Sequence, residues 1–119
     1  MKVLVVDDSA VMRKVLMDAL LKSGIHNIGQ APNGAAALKA IENGNFDLIL
    51  MDWNMPKMDG VQAVKEIRAR GINTPIIMVT TESEKSRVLE ALKSGANNYI
   101  VKPFTTELVA TKIKETMSK

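Results

Sequence analysis

The stretch KVLVVDDSAVMR, Lys2–Arg13, sets a run of aliphatic residues directly before two adjacent aspartates. Neither aspartate suits a core, and two neighbouring carboxylates repel each other. An apolar run of this length, rich in β-branched residues and stopped by polar ones, reads as a buried strand. Behind it, the AVMRKVLMDALLKSG stretch carries the spacing of a helix and closes on Gly24.

The same rhythm repeats along the chain. Short aliphatic or β-branched runs are expected as strands at Lys2–Val6, His26–Gln30, Phe46–Met51, Pro75–Val79 and Asn98–Val101, with helical stretches between them. Gly24, Gly44, Gly71 and Gly95 stand where left-handed helix caps belong. Asp59 and Thr105 are candidate N-caps, and TESE at Thr81–Glu84 reads as a capping box. Strand and helix alternating about five times predicts an α/β chain, a parallel sheet covered by helices on both faces. With 119 residues and 46 % hydrophobic content, residues 1–119 are expected to form a single domain with no output domain attached.

Composition narrows the function classes. The absence of cysteine excludes a disulfide scaffold and thiolate metal sites. No apolar run is long enough to span a bilayer and no basic-then-apolar leader opens the chain, so a cytoplasmic protein with no membrane partner is expected. A net charge of +3 invites a nucleic-acid reading, but aromatics make up only 3 % and the basic residues are scattered. They read as solvated helix faces, and no nucleic-acid partner is expected.

In a parallel sheet built with right-handed crossovers, all strands end on one edge. The first run exits into Asp7 and Asp8, the third into Asp52, the fourth into Thr80 and the fifth into Lys102. The second exits into Ala31-Pro32 and is expected at a sheet edge. Three carboxylates, a hydroxyl and an ammonium therefore converge on one crevice. Unneutralised carboxylates so close together would raise one another's pKa values. A hard cation such as Mg²⁺ resolves that conflict, and a cluster without histidine or cysteine disfavours zinc and copper. Lys102 and Thr80 suit the oxygens of a phosphoryl group, and an aspartate can accept that group as an acyl phosphate. Asp52 is the natural acceptor, because its strand is flanked by those carrying the other participants.

The segments VVDDS, LILMDWNMPKMDG, PIIMVTTES and YIVKPF together resemble the receiver domain of two-component response regulators, over essentially the whole chain. The resemblance implies a doubly wound, flavodoxin-like five-stranded parallel sheet of order 2-1-3-4-5. It implies Asp52 as phosphoacceptor, with Asp8, Asp52 and the backbone carbonyl of Asn54 as direct Mg²⁺ ligands and Asp7 acting through water. Thr80 and Lys102 would sense and hold the phosphoryl group, and the Lys102–Pro103 bond would be cis. Asn54 and Glu82 occupy positions that tune dephosphorylation in the family. Thr80 and Tyr99 are the expected switch, remodelling a partner surface that includes Lys85, Val88, Tyr99, Val101 and Lys112.

Several residues stand apart from this set. Trp53 is expected beside the pocket mouth and His26 in an exposed loop. Thr81 departs from many family members, which carry a smaller residue there, and is expected to narrow access to the phosphoryl group. The chain is thus expected to be a monomeric phosphoacceptor rather than an enzyme acting on other molecules. Its expected partners are a histidine kinase of the chemotaxis type, a flagellar motor switch protein and a phosphatase. A phosphorelay shuttle or phosphate sink uses the same chemistry. A flavin carrier would need a Ser/Thr/Gly-rich phosphate loop where DDSAV stands, and an aspartate-based phosphatase a second aspartate where Asn54 stands.

Overall fold

The computed structural model describes residues 1–55, 57–81 and 87–118. The elements alternate strictly: β1 (Lys2–Val6), α1 (Ala10–Lys22), β2 (Asn27–Ala31), α2 (Gly34–Asn43), β3 (Leu48–Asp52), α3 (Gly60–Ala69), β4 (Ile76–Thr81), α4 (Val88–Lys93), β5 (Asn98–Lys102) and α5 (Thr106–Met117). The five strands form one parallel sheet of order β2-β1-β3-β4-β5. β2, the strand without a polar exit, lies at an edge as expected.

The side-chain period of two divides the core into two layers. Val3, Val5, Leu48, Leu50, Ile77 and Val79 face one way and pack with Leu16 and Leu20 of α1 and Val109 and Ile113 of α5. Leu4, Val6, Ile49, Met51, Ile76 and Met78 face the other way, against Leu38 and Ile41 of α2, Val64 and Ile67 of α3 and Ala91 of α4. All five residues of β3 are buried, which is why that run reads as continuously apolar.

Helix entry is controlled by side-chain oxygens. Ser9, Asn33, Asp59 and Thr105 each accept a hydrogen bond from a backbone N–H three residues on, at 3.2, 2.8, 2.9 and 3.0 Å. Thr81 belongs to β4, while Glu82 and Glu84 of the expected capping box, and Lys85, lie outside the described residues. α4 opens at Arg87 without a side-chain cap.

Gly24, Gly71 and Gly95 have φ of 87°, 78° and 119°, the left-handed conformation expected of helix-ending glycines. Gly44 does not: its φ and ψ are −139° and 159°, extended backbone. Packing is tight there, since a Cβ would lie 3.1 Å from the Phe46 ring and 3.2 Å from the Ala40 carbonyl oxygen, and those neighbours would have to give by a few tenths of an ångström. The Lys102–Pro103 peptide is cis.

Candidate functional site

Because β1 and β3 are parallel neighbours with Val6 opposite Met51, the next residues of the two chains, Asp7 and Asp52, emerge side by side. Thr81 of β4 lies opposite Lys102 of β5. These exits border a cleft of about 410 Å³ lined by Asp7, Asp8, Ser9, Met12, Asp52, Asn54, Thr81 and Lys102.

Oxygens of Asp7, Asp8 and Asp52 all lie within 4.8 Å of one another. Asp7 and Asp52 are 1 % and 4 % exposed, whereas Asp8 is open to solvent. Lys102 reaches back across β4 to donate from Nζ to Asp52 Oδ1 at 3.0 Å, and its Nζ lies 3.9 Å from Asp7 Oδ2. Asp7 Oδ1 accepts from the Ser9 N–H at 2.9 Å, but Asp7 Oδ2 is buried without a hydrogen-bond partner among the described residues.

One ammonium does not offset this much buried acid. Burial pushes the Asp52 carboxyl up to about 6, with repulsion from Asp7 and Asp8 adding to it and the Lys102 hydrogen bond opposing it. Burial also raises Asp7, against the Ser9 N–H and the Lys102 charge. Three converging carboxylates, two of them buried and one with an orphaned oxygen, are the donor set of a hard divalent cation. Asp7, Asp8 and Asp52 could hold it, and Asn54 lines the same cleft.

Thr80 is fully buried, with its hydroxyl donating to the Thr81 carbonyl at 3.3 Å. The side chain that borders the cleft from β4 is that of Thr81. Tyr99 is half-buried against the core, and the Lys112 ammonium lies 4.5 Å above its ring centroid, so β5 and α5 bring those two residues together. Val101 is also half-buried.

Val88, expected on the partner surface, is only 8 % exposed, because Val88 and Ala91 form the inward face of α4. The exposed apolar residues of that helix are Leu89 and Leu92, at 61 % and 37 %. Trp53 is not at the cleft mouth: it is 1 % exposed in the core, its ring under the Arg87 guanidinium at 4.9 Å, and its Nε1–H finds no partner among the described residues. Glu82 and Lys85 lie outside the described residues.

Ser9 and Met12 line the cleft without having been singled out in the sequence. The signal for Ser9 was available, since a serine just before a helical stretch is an N-cap candidate, and its N–H then reaches Asp7.

Known proteins match this chain over nearly its whole length. A family model for the response regulator receiver domain matches residues 3–114. The chemotaxis protein CheY of Pseudomonas aeruginosa is 39 % identical over 117 residues, covering 97 % of this chain and 94 % of that protein. Chemotaxis protein CheY1 of Helicobacter pylori is 44 % identical, with 96 % and 94 % covered. Among solved structures, chemotaxis protein CheY4 of Vibrio cholerae matches with a TM-score of 0.88 at 35 % identity over 97 % of each chain. With a parallel sheet that gathers acids and a lysine at one edge and matches that run nearly end to end, the chain belongs to the response regulator receiver domain family.

Proposed function

We propose that this protein is a phosphorylation-switched signalling module that takes a phosphoryl group from a phosphohistidine of a kinase onto Asp52. The observation that carries the reading is the meeting of Asp7, Asp8 and Asp52 within 4.8 Å, with Lys102 3.0 Å from Asp52.

Asp52 is the acceptor because it is the acid that Lys102 orients by a direct hydrogen bond, with its carboxylate on the cleft. A carboxylate oxygen of Asp52 attacks phosphorus, and an O–P bond forms as the P–N bond breaks. The imidazole nitrogen leaves with the electron pair. Hydrolysis returns the carboxylate: water attacks the same phosphorus, the Asp52 O–P bond breaks and inorganic phosphate departs.

Asp7, Asp8 and Asp52, with the backbone carbonyl of Asn54, would hold Mg²⁺, which would supply neutralising charge for the phosphoryl oxygens. Lys102 is held beside Asp52 and offers its ammonium to the group arriving there. Asn54 and Thr81 flank the cleft and restrict the approach of water, with Glu82 a further tuning position. Thr80 gives up its bond to the Thr81 carbonyl when a phosphoryl oxygen competes for its hydroxyl. Tyr99, Val101 and Lys112 belong to the surface that partners read.

The matched relatives named as chemotaxis proteins support a chemotaxis kinase as donor and a flagellar motor switch protein as receiver of the signal. The test is intact mass after incubation with acetyl phosphate, in Mg²⁺ or in EDTA, for the wild type and Asp52→Asn. A single phosphoryl adduct is expected on the wild type in Mg²⁺ alone. An adduct on Asp52→Asn, or none on the wild type, removes Asp52 from the role.

A further inference from the structure

We propose that Arg13 is a positioning residue for the acid pair, holding the peptide that joins Asp7 to Asp8 in the orientation that lets both carboxylates serve one divalent cation. The inference rests on the reading of Asp7, Asp8 and Asp52 as a cation site.

Beyond β1, the chain keeps one more backbone tie to the sheet, from the Asp7 N–H to the Ala31 carbonyl at 3.1 Å. It must then turn into α1, whose first turn is capped by Ser9. The peptide between the two aspartates lies in this turn. Its carbonyl, that of Asp7, accepts a hydrogen bond from Arg13 Nη1 at 2.7 Å. The same guanidinium donates from Nε to Gln30 Oε1 on edge strand β2 at 3.1 Å. Arg13 is itself fixed one turn into α1, its N–H bonded to the Ser9 carbonyl at 3.0 Å. One half-buried side chain thus ties α1, β2 and the inter-aspartate peptide together.

That tie matters because a peptide plane turns freely on its two flanking dihedrals. Asp7 is pinned by burial and by the Ser9 N–H, but Asp8 is exposed, and repulsion between the two drives it outward. Holding the plane holds Asp8 near Asp7. Arginine suits the task because its rigid fork meets two acceptors in fixed directions, whereas a lysine ammonium fixes neither.

Positioning and simple charge predict opposite signs. As a positive charge beside a cation site, Arg13 lowers Mg²⁺ affinity, and its removal strengthens binding. As a positioning residue it raises affinity, and its removal weakens binding.

The experiment is calorimetric titration of MgCl₂ into the full chain at neutral pH for the wild type, Arg13→Ala, Arg13→Lys and Gln30→Ala, with melting curves in EDTA alongside. Arg13→Ala is expected to weaken Mg²⁺ by about tenfold, the loss typical when a group orienting a metal ligand is removed. Arg13→Lys keeps the repelling charge without the rigid fork and is expected to weaken binding at least as much as Arg13→Ala, whereas Gln30→Ala removes one of the two anchors and is expected to weaken it by a smaller factor. Unchanged or tighter binding by Arg13→Ala overturns the inference, as does wild-type affinity in both charge-preserving variants. If Arg13→Ala does not fold, those two variants decide by the same comparison. Absence of Mg²⁺ binding by the wild type overturns the cation reading itself, and this inference with it, before any variant is considered.

Discussion

Replacing Asp52 by asparagine should stabilise the metal-free protein at neutral pH, although it removes a hydrogen-bonded ion pair. Asp52 is 4 % exposed, and its carboxyl is pushed from 3.8 up to about 6 because burial outweighs the bond from Lys102. A carboxylate whose folded pKa lies above its unfolded value binds more protons in the folded state, so stability falls as pH rises from about 4 through 6. At 1.36 kcal/mol per unit, ionised Asp52 costs the folded state about 3 kcal/mol at pH 7.5. Asparagine keeps the shape and is not ionised. The stability difference between variant and wild type should therefore widen in the variant's favour by about 2–3 kcal/mol between pH 4 and pH 7.5. For 119 residues, with an unfolding entropy of about 2.1 cal/mol/K per residue, that is roughly 10 °C in Tm. The assay is urea unfolding of both proteins in EDTA across that pH range, repeated in Mg²⁺. The metal should restore wild-type stability at pH 7.5 and leave the variant little changed. A gap that does not vary with pH, or a variant that loses ground as pH rises, would refute the claim that burial prevails over the Lys102 pair.

Three further outcomes follow from the geometry. Mg²⁺ affinity should fall below pH 6, approaching tenfold per pH unit for each proton that must leave, because the raised Asp52 carboxyl must ionise to ligate; titrations at pH 5 and 7.5 check it. Gly60→Ala should destabilise the protein by about 1–3 kcal/mol in urea and slow phosphorylation by acetyl phosphate, since its Cβ would sit 2.4 Å from the Asp52 carbonyl oxygen. Arg68→Met should cost about 3 kcal/mol in the same assay, because it strands the Ile72, Thr74 and Gly95 carbonyls, all bonded by the guanidinium at 2.8–3.1 Å.

The alternation of elements and the polar exits of β1, β3 and β5 were legible because they depend on local rules: apolar runs, caps, and the shared direction of parallel strands. β4 runs on to Thr81, past the expected end at Val79, so Thr81 and not the buried Thr80 borders the cleft. Strand limits shifted where side chains compete with the ladder. Phe46 and Asp47 precede β3 rather than open it: Phe46 packs on Gly29 and Gly44, and Asp47 Oδ2 accepts from the Lys2 N–H at 2.7 Å. Trp53 was misread because chain adjacency to Asp52 suggests shared surroundings, whereas successive residues of extended backbone face opposite ways. Val88 was misread as surface because a short helix with few polar residues leaves its inward face ambiguous in sequence. Arg13 and Arg68 gave no local sign of their roles, since each joins backbone carbonyls near in sequence to a partner in a distant strand or loop, Gln30 for Arg13 and Gly95 and Asn97 for Arg68.

Lys102 and Tyr99 occupy the same five-residue edge strand, β5, three residues apart. One end of that strand grips Asp52, and the other end carries the ring beneath the Lys112 ammonium. Any partner that binds this strand more tightly once Asp52 is modified must, by thermodynamic reciprocity, favour the modified form by the same factor. On the proposed function, occupancy of that surface would help to set how much phosphoryl group the population carries. The abundance of the target becomes an input to the signal as well as its destination.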